Sequence, residues 1–80
     1  KQHFGTYMVV ARFEADPQVE EQLSALPGYR MKNKTMAGAT TELVAEVKLD
    51  NNGMATLEAL RSCPSVREIS VMDSLAGSVL

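Results

Sequence analysis

An α+β fold of the ferredoxin-like kind, βαββαβ, is what this chain of 80 residues predicts: a four-stranded antiparallel sheet with two helices on one face. Three observations carry that expectation. Residues 41–49 alternate apolar and polar with period two, the mark of a half-buried strand. Two other stretches carry an apolar stripe and end at a proline, and the first of them opens with helix-capping chemistry. Two striped helices and one apolar sheet face bury one another most economically as two stacked layers.

The first strand is Thr6-Tyr7-Met8-Val9-Val10-Ala11-Arg12-Phe13, rich in β-branched and aromatic residues. Tyr7, Val9, Ala11 and Phe13 share one face, and Met8, Val10 and Arg12 the other. Asp16-Pro17 then opens a helix: an aspartate accepts from free backbone N–H groups, and proline suits the first helical position. Glu20 and Glu21 lie near the positive end of that helix dipole. Val19, Leu23 and Leu26 form its stripe, and Pro27-Gly28 ends it.

A second strand begins at Tyr29, with Arg30, Lys32 and Lys34 at alternate positions. Ala37-Gly38-Ala39 interrupts it at a turn. The third strand follows, with Thr41, Leu43, Ala45, Val47 and Leu49 on one side and Glu42, Val44, Glu46 and Lys48 on the other. Folded as a hairpin, the two strands are expected to set Arg30, Lys32 and Lys34 against Glu42 and Glu46, so that the basic row is answered locally rather than by an anionic ligand. Asp50-Asn51-Asn52-Gly53 reads as a turn. A second helix carries Met54, Leu57 and Leu60, helped by Ala59 and Cys63, and stops at Ser62-Cys63-Pro64. Val66 to Met72 is the last strand. In this order the first and third strands are central and the others are edges, where lysines discourage unwanted pairing. The domain is expected over 6–72, with 1–5 as a start or linker and 73–80 as a tail, either frayed or an extra edge segment.

Composition narrows the function. A net charge of −2 and a pI near 5.2 leave no electrostatic footprint for nucleic acid. Cys63, the one cysteine, supplies neither an internal disulfide nor a zinc cluster, which suits a reducing compartment. No run of about 18 apolar residues is present to span a bilayer. A metallochaperone needs paired cysteines near the first strand-to-helix loop, which here is Glu14-Ala15-Asp16-Pro17. An RNA-binding sheet needs exposed aromatics on its central strands, where this chain has Met8, Val10 and Val44. His3, the only histidine, has no ligand or triad partner at useful spacing, so no catalytic or metal residue and no cofactor is expected. The five methionines show no close repeat and read as packing.

One feature points to function. Met8, Val10, Val44 and Met72 are expected on the sheet face that the helices leave open, ringed by Arg12, Glu42, Glu46, Lys48 and Glu68. An apolar patch of that kind on a small domain suggests a protein partner, such as a second copy packed face to face. A small-molecule-sensing regulatory domain of ACT type is the alternative, although such domains usually carry a glycine-bearing turn after the first strand.

The hairpin stretches Lys32-Asn33-Lys34-Thr35-Met36-Ala37-Gly38 and Thr41-Glu42-Leu43-Val44-Ala45-Glu46-Val47 resemble the C-terminal domain of a group of uncharacterised bacterial inner-membrane proteins. That group is similar in layout to the MgtC and YhiD-like proteins. Leu57-Glu58-Ala59-Leu60-Arg61-Ser62-Cys63 and Val66-Arg67-Glu68-Ile69-Ser70 resemble the end of the same domain. The likeness covers about residues 6 to 72; the segment after Met72 departs from it. It implies transmembrane helices upstream of Lys1 and a cytosolic ferredoxin-like tail, acting as an accessory domain in self-association or regulation. It carries over no catalytic residue.

Overall fold

The alternation in residues 41–49 governs the architecture. In the computed structural model, which describes residues 5–14 and 16–73, Thr41, Leu43, Ala45, Val47 and Leu49 are all buried, while the residues between them are half-buried or exposed. They belong to β3 (Thr40–Leu49), which pairs antiparallel on one side with β1 (Gly5–Glu14) and on the other with β2 (Arg30–Ala37). Beyond β1 lies β4 (Val66–Asp73), also antiparallel, so the sheet order is β2-β3-β1-β4. With α1 (Pro17–Ser24) and α2 (Asn51–Arg61) between strands, this is the ferredoxin-like βαββαβ arrangement. Residues 74–80, the greater part of the expected tail, and His3 lie outside the described residues.

Both helices lie on one side. Val19, Leu23 and Leu26 from the α1 region and Leu57 and Leu60 from α2 share a core with Val9, Ala11, Phe13, Leu43, Val47, Leu49 and Ile69. The helix starts follow the capping logic. Asp16 accepts a hydrogen bond from the Gln18 backbone N–H at 3.0 Å and from the Ser65 hydroxyl at 2.8 Å, tying the start of α1 to the turn before β4. The expected turn at Asp50-Asn51-Asn52-Gly53 is instead the cap and first turn of α2: Asp50 accepts from the Gly53 N–H at 2.9 Å, and the helix runs from Asn51. Asp, Asn and Gly serve turns and N-caps alike, because both use a short polar side chain to satisfy nearby backbone groups. The α2 stripe is correspondingly Gly53, Leu57 and Leu60, and Met54 is exposed.

Two glycines make the reversals. Gly28 (φ +67°) follows α1, where the Pro27 carbonyl accepts from the Lys48 N–H at 2.8 Å. A Cβ at Gly28 would sit 2.9 Å from Lys48 Cγ, so conformation and space both disfavour a side chain. Gly38 (φ +61°) is the first residue of the two-residue loop Gly38-Ala39 between β2 and β3, the position that a type II′ hairpin reserves for glycine.

The basic row of the second strand does not behave as expected. Met31 pairs with Ala45 but Asn33 pairs with Val44, so Lys32 is an extra, bulged residue. The bulge shifts all that follows by one. Lys34 therefore lies opposite Leu43 on the helix side, where its Nζ reaches Glu20 at 2.8 Å, and only Arg30 stays opposite Glu46, at 4.0 Å. Nearby, burial first and then the Glu20 carboxylate raise the Tyr29 phenol pKa, while Lys34 opposes them. The other edge repeats the device: Arg12 pairs with Glu68 and Phe13 with Val66, leaving Arg67 as the extra residue of β4.

Adjacent residues on opposite faces of β3 test this arrangement. Leu43→Ala removes a fully buried side chain and is expected to cost about 2–5 kcal/mol; Val44→Ala, on the uncovered face, is expected to cost under about 1 kcal/mol. Urea midpoints of the two variants read the difference, and equal losses would contradict the alternation.

Candidate interaction surface

The open face is built by the same alternation that fills the core. Its residues are those out of phase with the buried ones, and the strand registers bring them into rows. One row runs Arg30, Glu46, Met8, Met72 across the four strands; the next runs Asn33, Val44, Val10, Ser70. Met8, Val10, Val44 and Met72 thus occupy neighbouring positions in two adjacent rows on β1, β3 and β4. None belongs to the helix-side core cluster. Met8, Val10 and Val44 are half-buried by their neighbours, whereas Met72 is 54% exposed.

Charged side chains surround this patch. Arg12 Nη1 donates to Glu68 Oε1 at 3.2 Å, Arg67 pairs with Glu14, and Arg30 approaches Glu46. Basic Arg12, Arg30, Lys48 and Arg67 stand with acidic Glu14, Glu42, Glu46 and Glu68, and Lys32 bulges at the β2 edge, so the face carries both signs. Among the described residues, Glu42 and Lys48 form no ion pair with each other or with any other group. The arginine opposite Glu42, Arg12, is engaged by Glu68 instead. A shallow hollow of about 430 Å³, lined by Arg12, Thr35, Ala37, Thr40 and Glu42, dips into the hairpin end of the face.

Other surface features are less suited to a partner. Met31 and Met36 are 53% and 66% exposed on the helix side of β2, but Lys34 and its ion pair with Glu20 lie between them. A second hollow, of about 440 Å³, lies between the end of α1 and the start of α2, against Gln22, Leu26, Asp50, Asn52 and Thr56. Two of its polar groups serve the helix: Asp50 caps it and the Thr56 hydroxyl donates to the Asn52 carbonyl at 3.1 Å. Cys63 is half-buried, packs against the core and directs its thiol at the Ala59 carbonyl, 3.9 Å away. Among the described residues no group of three or more His, Cys, Asp or Glu side chains is placed to hold a metal ion, and no helix is long and apolar enough to cross a membrane.

Fold and surface together define a ferredoxin-like α+β domain with one uncovered, amphipathic sheet face. No protein-family model, curated protein or solved structure matches the chain.

Sequence reasoning selected Met8, Val10, Val44 and Met72, and the registers bring all four onto one face. It did not single out Glu42 and Lys48, because Glu42 was expected to answer the lysines of the second strand. Only the bulge at Lys32, which the sequence does not mark, frees it.

The rim pairs are expected to contribute little to folding. With Arg12 and Glu68 both about half exposed, a double-mutant cycle of Arg12→Ala and Glu68→Ala read by urea denaturation should give a coupling of about 1 kcal/mol or less. A coupling of several kcal/mol would make these charges part of the fold.

Proposed function

We propose that this chain is a non-catalytic interaction domain that works by docking its open sheet face onto a second copy of itself. The observation that supports this most directly is the contiguous placement of Met8, Val10, Val44 and Met72 on the face the helices do not cover. Apolar side chains grouped at the centre with charges at the margin are the pattern of a contact surface. The balance of signs around them favours a copy of the same face over a strongly charged partner.

Size sets the strength. Four strands about 4.8 Å apart and about seven residues long at 3.4 Å each present a footprint of about 450 Å². Two such footprints bury about 900–1,000 Å², at the weak end for specific contacts, so the dimer should be micromolar or weaker. That strength fits a domain held at high local concentration by the protein that carries it. The resemblance to cytosolic tails of bacterial inner-membrane proteins supports the same reading. The domain would then be a cytoplasmic accessory part whose pairing brings two upstream transmembrane regions together.

Sedimentation of the chain from about 1 μM to about 1 mM is the test. The expected result is a concentration-dependent rise in mass that Met8→Asp and Val44→Asp each abolish while circular dichroism shows an intact fold. A strict monomer across that range, or Asp variants that associate as well as the parent, would refute the reading.

A further inference from the structure

Two open-face charges of β3 lack an ion pair, are opposite in sign and lie six residues apart: Glu42 and Lys48. Their midpoint falls between Val44 and Glu46. The apolar patch is centred at the same level, since Val10 lies opposite Val44 and Met8 opposite Glu46. The pairs Glu42/Lys48 and Val10/Met8 are therefore matched about a line drawn across the strands at that level. A two-fold axis along such a line, in the plane between two facing sheets, reverses the strand direction and turns one face onto the other. It carries Glu42 onto Lys48 and Val10 onto Met8, and it also sets Val44 over Glu46 and Ser70 over Met72.

We propose that the second copy docks with its β3 antiparallel over β3 of the first, so that Glu42 of each copy meets Lys48 of the other; this rests on the self-association reading above. The geometry allows it. Each charge lies about 10 Å from the axis along the strand. Aligned sheets cross at about 30°, which displaces such a position sideways by about 5 Å, within the reach of a lysine stem. Orthogonal packing would part the charges by about 14 Å and is excluded by the pairing. Edge-to-edge growth of the sheet is also disfavoured, because each edge strand carries a basic bulge, Lys32 on β2 and Arg67 on β4.

Charge reversal tests the register. Glu42→Lys makes a chain basic at both positions, and Lys48→Glu a chain acidic at both. By two-fold symmetry each reversal sets two like-charged contacts in its own dimer. At low salt each single variant is expected to self-associate about tenfold more weakly than the parent. An equimolar mixture of the two should recover parent affinity as a heterodimer, and the double swap in one chain should recover it as a homodimer. The differences should shrink in about 1 M salt, and thermal melts should verify that each variant folds. Single variants that associate like the parent, or a mixture that shows no recovery, would overturn the register while leaving self-association standing. A parent chain that stays monomeric would remove the reading beneath it as well.

Discussion

The molecule is governed by a shortage of helix. A four-stranded sheet has two faces, and helices of eight and eleven residues suffice for one. The covered side must be apolar, and Leu43, Ala45, Val47 and Leu49 of β3 satisfy that demand together with Val9, Ala11, Phe13 and Ile69. The other side must tolerate water in the monomer while lying across a backbone that is itself fully paired on the central strands. Its composition is the compromise visible here: apolar groups at the centre, Met8, Val10 and Val44 half-buried by their neighbours, and charges around them. An 80-residue chain has little surplus stability, so every residue spent on that second face is withheld from the core.

The parts of the fold that rest on local periodicity were readable from the amino-acid order. Thr41 to Leu49 alternates so regularly that its buried set could be written down in advance, and the face of Met8, Val10 and Val44 followed from the same parity. Asp16 was readable as a cap because Pro17 disambiguates it. Asp50 was not: Asp-Asn-Asn-Gly is equally good turn chemistry, and in the structure it is the cap and first turn of α2, with Gly53 buried so close to Leu49 that an added Cβ would lie 2.8 Å from its Cδ2. The bulge at Lys32 was beyond reach for a different reason. A run of exposed polar residues contains no apolar set to anchor a register, so the slip is settled by the partner strand and by the Glu20 carboxylate waiting on the helix side.

That slip is also what gives the open face its chemical character. With Lys34 on the helix side, the hairpin no longer neutralises itself, and Glu42 and Lys48 of β3 are left without an ion pair. The side-chain network elsewhere is closed: among the described residues no buried side-chain nitrogen or oxygen lacks a hydrogen-bond partner. Unspent polarity is therefore concentrated where solvent, or another molecule, can reach it. Deletion of Lys32 would leave every other residue of β2 opposite its present partner and would only remove the bulge from the edge.

The paired basic bulges have a consequence for quantity as well as geometry. Sheets that join by their edges have no natural end, and each added copy exposes a fresh edge for the next, which is the route to fibres. Sheets that join by their only open face consume it, and growth stops at two. With Lys32 and Arg67 guarding the edges, a pairing of the proposed face-to-face kind would be saturable, and the domain crowded on a surface would still have a largest assembly.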